Sequence, residues 1–259
     1  MSEFVRLDLD GAVGVIRLDR PPVNAINTVI HHELLAVAAE VAGNPEIRAV
    51  VLYGGERAFA AGADIKEMTD LTPGEITGLG GSLNHAVSAV ARLTQPVIAA
   101  ITGYALGGGC ELALAADFRF VAENAVLGLP EITLGVIPGA GGTQRLPRLI
   151  GVTKAKELIF TGRPVKAVEA LEIGLASRVL PADQVFAEAM AFARTLAAGA
   201  TAALAAAKRV IDEGLDETLA AGLEMEGRKF AELFGSEDQT IGMTSFLQHG
   251  PGKAQFVGR

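Results

Sequence analysis

The sequence predicts an α/β fold with largely parallel strand pairing and a helical region at its C-terminal end. Two observations carry that prediction. Down to about Pro181, short apolar runs of strand length alternate with longer stretches whose apolar residues recur at helical spacing, as in strand–helix units packed on a buried sheet. Beyond Pro181 the chain turns alanine-rich and its strand-like runs stop. With 259 residues, 50% hydrophobic and 20% charged, the chain is globular and has ample length for one large core with a smaller appendage.

In "FVRLDLDGAVGVIRLDRP" the apolar residues Val5, Leu7 and Leu9 alternate, and Val13, Val15, Ile16 and Leu18 follow the Asp10-Gly11 turn. Two strands joined by a tight turn are expected, the second stopped by Pro21 and Pro22. "NTVIHHELLAVAAEVAGNP" carries Ile30, Leu34, Val37 and Val41 at helical spacing, with Asn27 or Thr28 to cap the helix and Gly43-Asn44-Pro45 to end it. "RAVVLYGG" reads as a short buried strand. "PGEITGLGGSLNHAVSAVARLTQP" reads as a helix weakened by its glycines and ended by Pro96. "VIAAITGYALGGG" reads as a buried strand running into glycines, "CELALAAD" as a helix that begins there, and "FRFVAENAVLGLPE" as a further strand. Near the C-terminal end, "ADQVFAEAMAFARTLAAGATAALAAAKRVIDEG" is helical, and "LDETLAAGLEMEGRKFAELF" sets Leu215, Leu219, Leu223 and Phe230 on one face. Strand–strand–helix units recur without a repeated sequence.

Charge and composition exclude several classes. A net charge of −8 and a pI near 5.1 disfavour a broad nucleic-acid-binding face, while leaving room for a local cluster of lysine and arginine that holds one phosphate-bearing ligand. No apolar segment reaches the roughly 18 uninterrupted residues of a membrane helix. The start "MSEFVRLDLDG" matches neither a secretory signal nor a transit peptide, so a cytoplasmic protein is expected, with a trimmed organellar form as the alternative. Cys110 is the one cysteine, which leaves no internal disulfide and no cysteine-based metal site, and His31, His32, His85 and His249 have no zinc-like spacing.

Four stretches hold residues suited to chemistry. In "RAFAAGADIKEM" small residues at Ala58, Ala60, Ala61, Gly62 and Ala63 permit a close approach to the backbone; a tight strand–helix loop is the plainer reading. In "GYALGGGCELALAAD" Gly107, Gly108 and Gly109 leave amides uncovered at a helix start. A phosphate cradle would need Gly-Lys-Ser/Thr and a dinucleotide site would need Gly-x-Gly-x-x-Gly, and neither is present. Glu111 beside a phosphate would repel it. A better partner is an oxygen that becomes negative only during reaction, the task of an oxyanion hole; a glycine turn chosen for packing is the alternative. "LGLPEITLGVIPGAGGTQRLPRLIG" places Glu131 among apolar neighbours, where burial would raise its pKa, and repeats a glycine turn that Arg145 can anchor. Glu111 and Glu131 could form an acid/base pair around one small reacting group, although spacing cannot show that they meet. "LDRPPVNAIN" reads alone as structural.

Together, "LDRPPVNAIN", "AFAAGADIKEM", "GYALGGGCELALAAD", "PEITLGVIPGAGGTQRLPRLIG" and "TGRPVKAVEALEIGLASRV" resemble the enoyl-CoA hydratase/isomerase (crotonase) family over nearly the whole chain. Order and spacing carry the likeness, and counterparts to both acids bring it closest to 2-enoyl-CoA hydratases. The resemblance implies a spiral of ββα units, with residues 1–190 forming the α/β core and active site and residues 191–259 a helical oligomerisation region. It implies a lyase that adds water across the C2–C3 double bond of a trans-2-enoyl-CoA, giving a 3-hydroxyacyl-CoA in fatty-acid or related acyl-CoA breakdown. Coenzyme A would enter as part of the substrate; no cofactor and no metal are expected. The amides of Ala63 and Gly108 would form the oxyanion hole, Glu111 would activate water, Glu131 would protonate C2, and the Gly139 amide would help hold the water. Ala61, Ala63, Asp64, Ile65, Lys66 and Gly108 would line the substrate channel, with Phe234 contributing to a neighbouring subunit's pocket in a homo-trimer or dimer of trimers. Nucleic-acid and membrane partners are not expected. Leu129 departs from the glutamine often found two residues before the second acid, which bears on substrate preference and on Glu131. The alternatives are an enoyl-CoA isomerase or another acyl-CoA enzyme of the family and, outside catalysis, an RNA-binding protein on the same fold.

Overall fold

The structure, a computed structural model, describes residues 2–259. Its main sheet has six strands, in the spatial order β1 (Val5–Asp10), β2 (Val13–Leu18), β3 (Ala49–Tyr53), β4 (Val97–Ile101), β6 (Phe118–Ala122) and β9 (Arg178–Leu180). The β1–β2 hairpin is antiparallel, and every later pairing in this sheet is parallel. A smaller sheet joins β5 (Tyr104–Leu106), β7 (Val126–Gly128) and β8 (Val165–Lys166). Between the strands lie α1 (Thr28–Gly43), α2 (Pro73–Ala91), α3 (Gly108–Leu114), α4 (Gly142–Ile150), α5 (Val152–Thr161) and α6 (Ala167–Glu172). Four further helices follow β9: α7 (Val185–Ala197), α8 (Thr201–Gly214), α9 (Leu219–Leu233) and α10 (Glu237–His249).

Two stretches expected as single strands each divide into two. "VIAAITGYALGGG" breaks at Thr102-Gly103 into β4 and β5, which belong to different sheets. The break needs glycine: Gly103 has φ +58°, and a β-carbon there would lie 2.0 Å from the Arg57 carbonyl oxygen. "FRFVAENAVLGLPE" divides in the same way into β6 and β7. The chain therefore crosses the main sheet, steps to a second layer, and returns through a helix. After β3 the second-layer step forms no strand, only the single parallel bridges Ala60↔Ala105 and Ile26↔Ala63. This is the α/β spiral of ββα units.

The core lies where these layers meet. Val50, Val51, Leu52, Ile98, Ala99, Ala100, Ile101 and Val121 are fully buried, because parallel strands covered on both faces must be apolar throughout. On α1, Ile30, Leu34, Val37 and Val41 face inward as expected, and the Asn27 side chain caps the helix at Ile30. α2 opens with a Thr72–Glu75 capping box and stops at Ala91, before Pro96 is reached.

α7 belongs to this body. Its buried Ala189, Ala193 and Ala197 lie at four-residue spacing, and the helix packs over β2, β3, β4 and β6. The expected boundary at residue 190 falls inside it. By contrast, α8 and α9 have no buried residue. Leu215, Leu219, Leu223 and Phe230, expected on one face, are all exposed. Lys208 Nζ ties α8 to the sheet body, 2.9 Å from Asp117 Oδ2. Among the described residues, no single helix is long and apolar enough to cross a membrane, and no group of three or more histidine, cysteine or acidic side chains is placed to hold a metal ion.

Candidate active site

Where β5 turns into α3, two of three consecutive glycines are required, for different reasons. Gly107 has φ +51°, which disfavours any side chain. A β-carbon on Gly109 would sit 2.1 Å from the Ala60 carbonyl oxygen. At Gly108 the same atom would meet Leu83 Cδ2 at 3.4 Å, the Ala63 nitrogen at 3.6 Å and Ile26 Cδ1 at 3.8 Å. The Ala63 and Gly108 peptides are therefore neighbours in space.

The chain uses its other amides here. Ala61 donates to the Val23 carbonyl, Asp64 to that of Ile26, and Gly107 to that of Gly128. Among the described residues, the N–H groups of Ala63 and Gly108 have no protein acceptor. Two free amides beside each other beneath Leu83 and Ile26 can receive one oxygen atom.

Glu111 lies one helical turn beyond Gly107 and is 2% exposed. Its Oε1 accepts from the Ala140 and Gly142 amides, each at 2.7 Å, and no protein donor bonds Oε2 among the described residues. Burial pushes this carboxyl up in pKa; the Gly142 and Ala140 amides and the Arg145 charge oppose the rise. Arg145 anchors the glycine turn, as its position suggested, by donating to the Ala140 carbonyl at 2.9 Å.

Glu131 stands at the start of a short 3-10 turn, Glu131–Leu134. Its Oε1 would be 3.2 Å from a β-carbon on Gly107, and its Oε2 is buried without a hydrogen-bond partner. Burial raises its pKa to about 7; its own backbone amide opposes this and the Glu111 charge adds to it. The apolar run after Glu131 was expected to bury it, but Ile132, Leu134, Val136 and Ile137 are exposed. The carboxyl is covered from the Gly107 side instead.

The remaining expected site residues are placed as follows. Gly139 is exposed, next to the Ala140 that holds Glu111. Ile65 and Lys66 are exposed beyond Ala63, whereas the Asp64 carboxylate turns to Arg20 at 2.7 Å, which holds its pKa down. Phe234 is half exposed at the end of α9, its ring 5.2 Å from that of Phe230. Leu129 is 1% exposed and packs under Gly142, where a β-carbon would meet its Cδ1 at 2.9 Å. Cys110 points into the core, and burial pushes its thiol up to about 12. A cleft of about 490 Å³ opens beside the Ile65–Glu67 turn, lined by Thr28, His32, Glu67, Leu79 and Ser82, but neither acid lines it.

Sequence reasoning missed three parts of this arrangement. The contacts of Leu83 and Ile26, the Arg20–Asp64 pair and the two amides on Glu111 all join segments distant in sequence. Only the glycine turn Gly139–Gly142 left a visible signal.

Known proteins share this architecture. A family model described as enoyl-CoA hydratase/isomerase matches residues 8–258. A Rhizobium meliloti protein named probable enoyl-CoA hydratase is 46% identical over 248 residues, covering 95% of each chain. The short-chain-enoyl-CoA hydratase of Clostridium acetobutylicum is 40% identical over 246 residues, covering 94% of each. The crystal structure of enoyl-CoA hydratase from Bacillus anthracis superposes with a TM-score of 0.94 at 39% identity, covering 99% of this chain and all of that one.

Proposed function

The chain belongs to the enoyl-CoA hydratase/isomerase family, and from that premise we infer that it is an enoyl-CoA hydratase, a lyase that adds water across the C2–C3 double bond of a trans-2-enoyl-CoA to give a 3-hydroxyacyl-CoA. Acyl-CoA thioesters of fatty-acid or related metabolism are its substrates.

The free amides and the two carboxyl groups support a division of labour. The Ala63 and Gly108 amides grip the thioester oxygen as electrons flow onto it, so they bind the enolate more strongly than the substrate. Water lies between the two carboxyl groups. Glu111 Oε2, the oxygen without protein donors, takes a proton from the water as its oxygen attacks C3. The C2–C3 electron pair moves into the thioester enolate. Glu131, whose raised pKa keeps a substantial protonated fraction at neutrality, gives its proton to C2, and the enolate returns to a thioester. One proton leaves water for Glu111 and one leaves Glu131, so the pair needs only a proton transfer to be reset. The Gly139 amide helps hold the water. Ala61, Ile65 and Lys66 line the approach for coenzyme A, and Asp64 shapes that edge through Arg20.

One arrangement supports this reading: the Glu131 carboxyl lies against Gly107 and Glu111 stands on the helix that Gly108 opens, while the neighbouring Ala63 and Gly108 amides have no protein acceptor among the described residues. An isomerase needs only one acid to move a double bond, so the second favours hydration. The exposed apolar face of α8 and α9 supports assembly of copies through the region after α7, with Phe234 at that contact.

The test is loss of the ultraviolet absorbance of crotonyl-CoA on addition of the protein, with product identified as 3-hydroxybutyryl-CoA. Double-bond migration without water uptake would point to an isomerase, and binding without turnover to a non-catalytic role.

A further inference from the structure

We propose that Arg145 is a positioning residue for Glu111, a guanidinium clamp that joins helix α2 to the turn fastening the water-activating carboxylate. Its Nη1 donates to the Ala140 carbonyl at 2.9 Å, and its Nη2 to Ser88 Oγ on α2 at 3.2 Å. The clamped carbonyl lies between the two amides that hold Glu111 Oε1. Moving this peptide rotates both donors at once.

The turn is shaped around the guanidinium. Gly141 has φ +110°, and a β-carbon there would lie 2.0 Å from Nη1, so the arginine occupies the space of a side chain. The cation is partly buried, yet no carboxylate lies within 4.0 Å of it among the described residues. A buried charge without its own ion pair is costly unless another charge uses its field. Glu111 is that charge, since each group shifts the other's proton affinity toward the charged form.

Few charges compete with this effect. Glu131 faces Glu111 from the Glu131–Leu134 turn and repels it. On its own helix Glu111 has only the Cys110 thiol beside it. From α4 comes Arg145, and from α2 come the uncharged Ser88 and, beyond Arg145, Arg92. The link also has a mechanical side: α2 carries Leu83 over Gly108, so the same helix touches the oxyanion amides and the clamp.

Glu111 must be ionised to accept a proton, and removing a nearby cation favours its neutral form. The acid limb of the pH–kcat/KM profile in Arg145→Met should therefore move to higher pH by about half a unit or more, with kcat falling about tenfold or more through lost alignment. Arg145→Lys should restore the limb but not the full kcat, and Ser88→Ala should lower kcat with the limb unmoved.

The inference uses the hydratase reading only for these rates. A second readout stands apart: the side-chain carboxyl of Glu111 titrated by ¹³C NMR in the wild type, Arg145→Lys and Arg145→Met. An upward shift in Arg145→Met alone supports the clamp even if crotonyl-CoA is not hydrated, a result that would sink the hydratase reading by itself. An unmoved Glu111 titration with unchanged pH limbs overturns the clamp while leaving hydration intact. Should Arg145→Met fail to fold, Arg145→Lys and Ser88→Ala decide: native kcat in both overturns the proposal.

Discussion

Gly107 and Glu131 are in direct apposition: a β-carbon on the glycine would sit 3.2 Å from the carboxyl Oε1. The backbone at Gly107 also has φ +51°. In Gly107→Ala strain and crowding act together. We expect a loss of about 1–3 kcal/mol in stability and about a hundredfold in turnover, since Glu131 must move. Thermal unfolding and the absorbance assay check both, and a native rate in this variant would place Glu131 outside the reaction.

The proton on Glu131 makes activity pH-dependent. As the proton donor it must be protonated, so kcat/KM should decline on the alkaline side as pH rises through about 7. The two acids interact, so the measured limbs belong to the pair. Glu131→Gln should abolish the alkaline limb with most of the rate, about a hundredfold or more.

The same carboxyl bears on stability, and with the same pH sense. Its folded pKa of about 7 lies above the ordinary 4.5, so its contribution is fully present below 4.5 and is lost as pH rises through 7. At pH 8, Glu131→Gln should therefore unfold at a higher temperature than the wild type, by the equivalent of about 1 kcal/mol once partial exposure is discounted. Near pH 4 the advantage should vanish. Equal melting temperatures at both pH values would show that the carboxyl ionises freely in the folded protein.

For Glu111, two substitutions separate chemistry from structure. Glu111→Gln keeps an oxygen for the Ala140 and Gly142 amides and should fold normally while turnover falls by orders of magnitude. Glu111→Ala strands two buried N–H groups, about 1–3 kcal/mol each, and should melt measurably lower than the glutamine variant. Matching melting curves for the two would mean the amides find other partners.

Assembly is testable on the outer helices. Leu219 and Phe230 are exposed by 80% and 64%, too much apolar surface for a face left in water. The wild type should sediment well above one chain's 26.7 kDa, and Leu219→Asp with Phe230→Asp should lower that mass. A monomeric wild type would remove the reason for the face.

Much of this was legible in the sequence because it rests on local patterns. The α1 periodicity, the strand alternation and the glycines before Glu111 all report short-range constraints. Parallel layering hid the rest: "VIAAITGYALGGG" looks continuous because both of its strands are apolar, and only Gly103 marks the step between sheets. Glu131 was suspected from apolar neighbours on both sides; Leu127 and Leu129 before it are buried, but the run after it is exposed, and Gly107 lies against the carboxyl. The Arg145–Ser88 link and the Arg20–Asp64 pair join residues far apart in the chain, for which no local pattern exists.

The paired donors at Ala63 and Gly108 belong to the main chain, and this changes how the protein tolerates sequence drift. No exchange of side chain deletes such a donor except replacement by proline, so an alanine scan would pass over the proposed oxyanion hole. Replacing either peptide by an ester through chemical synthesis would expose it, at ~3 kcal/mol of barrier for each lost donor. Lineages can thus remodel the exposed rim around Ile65 and Lys66 while the two amides are carried forward by the fold itself.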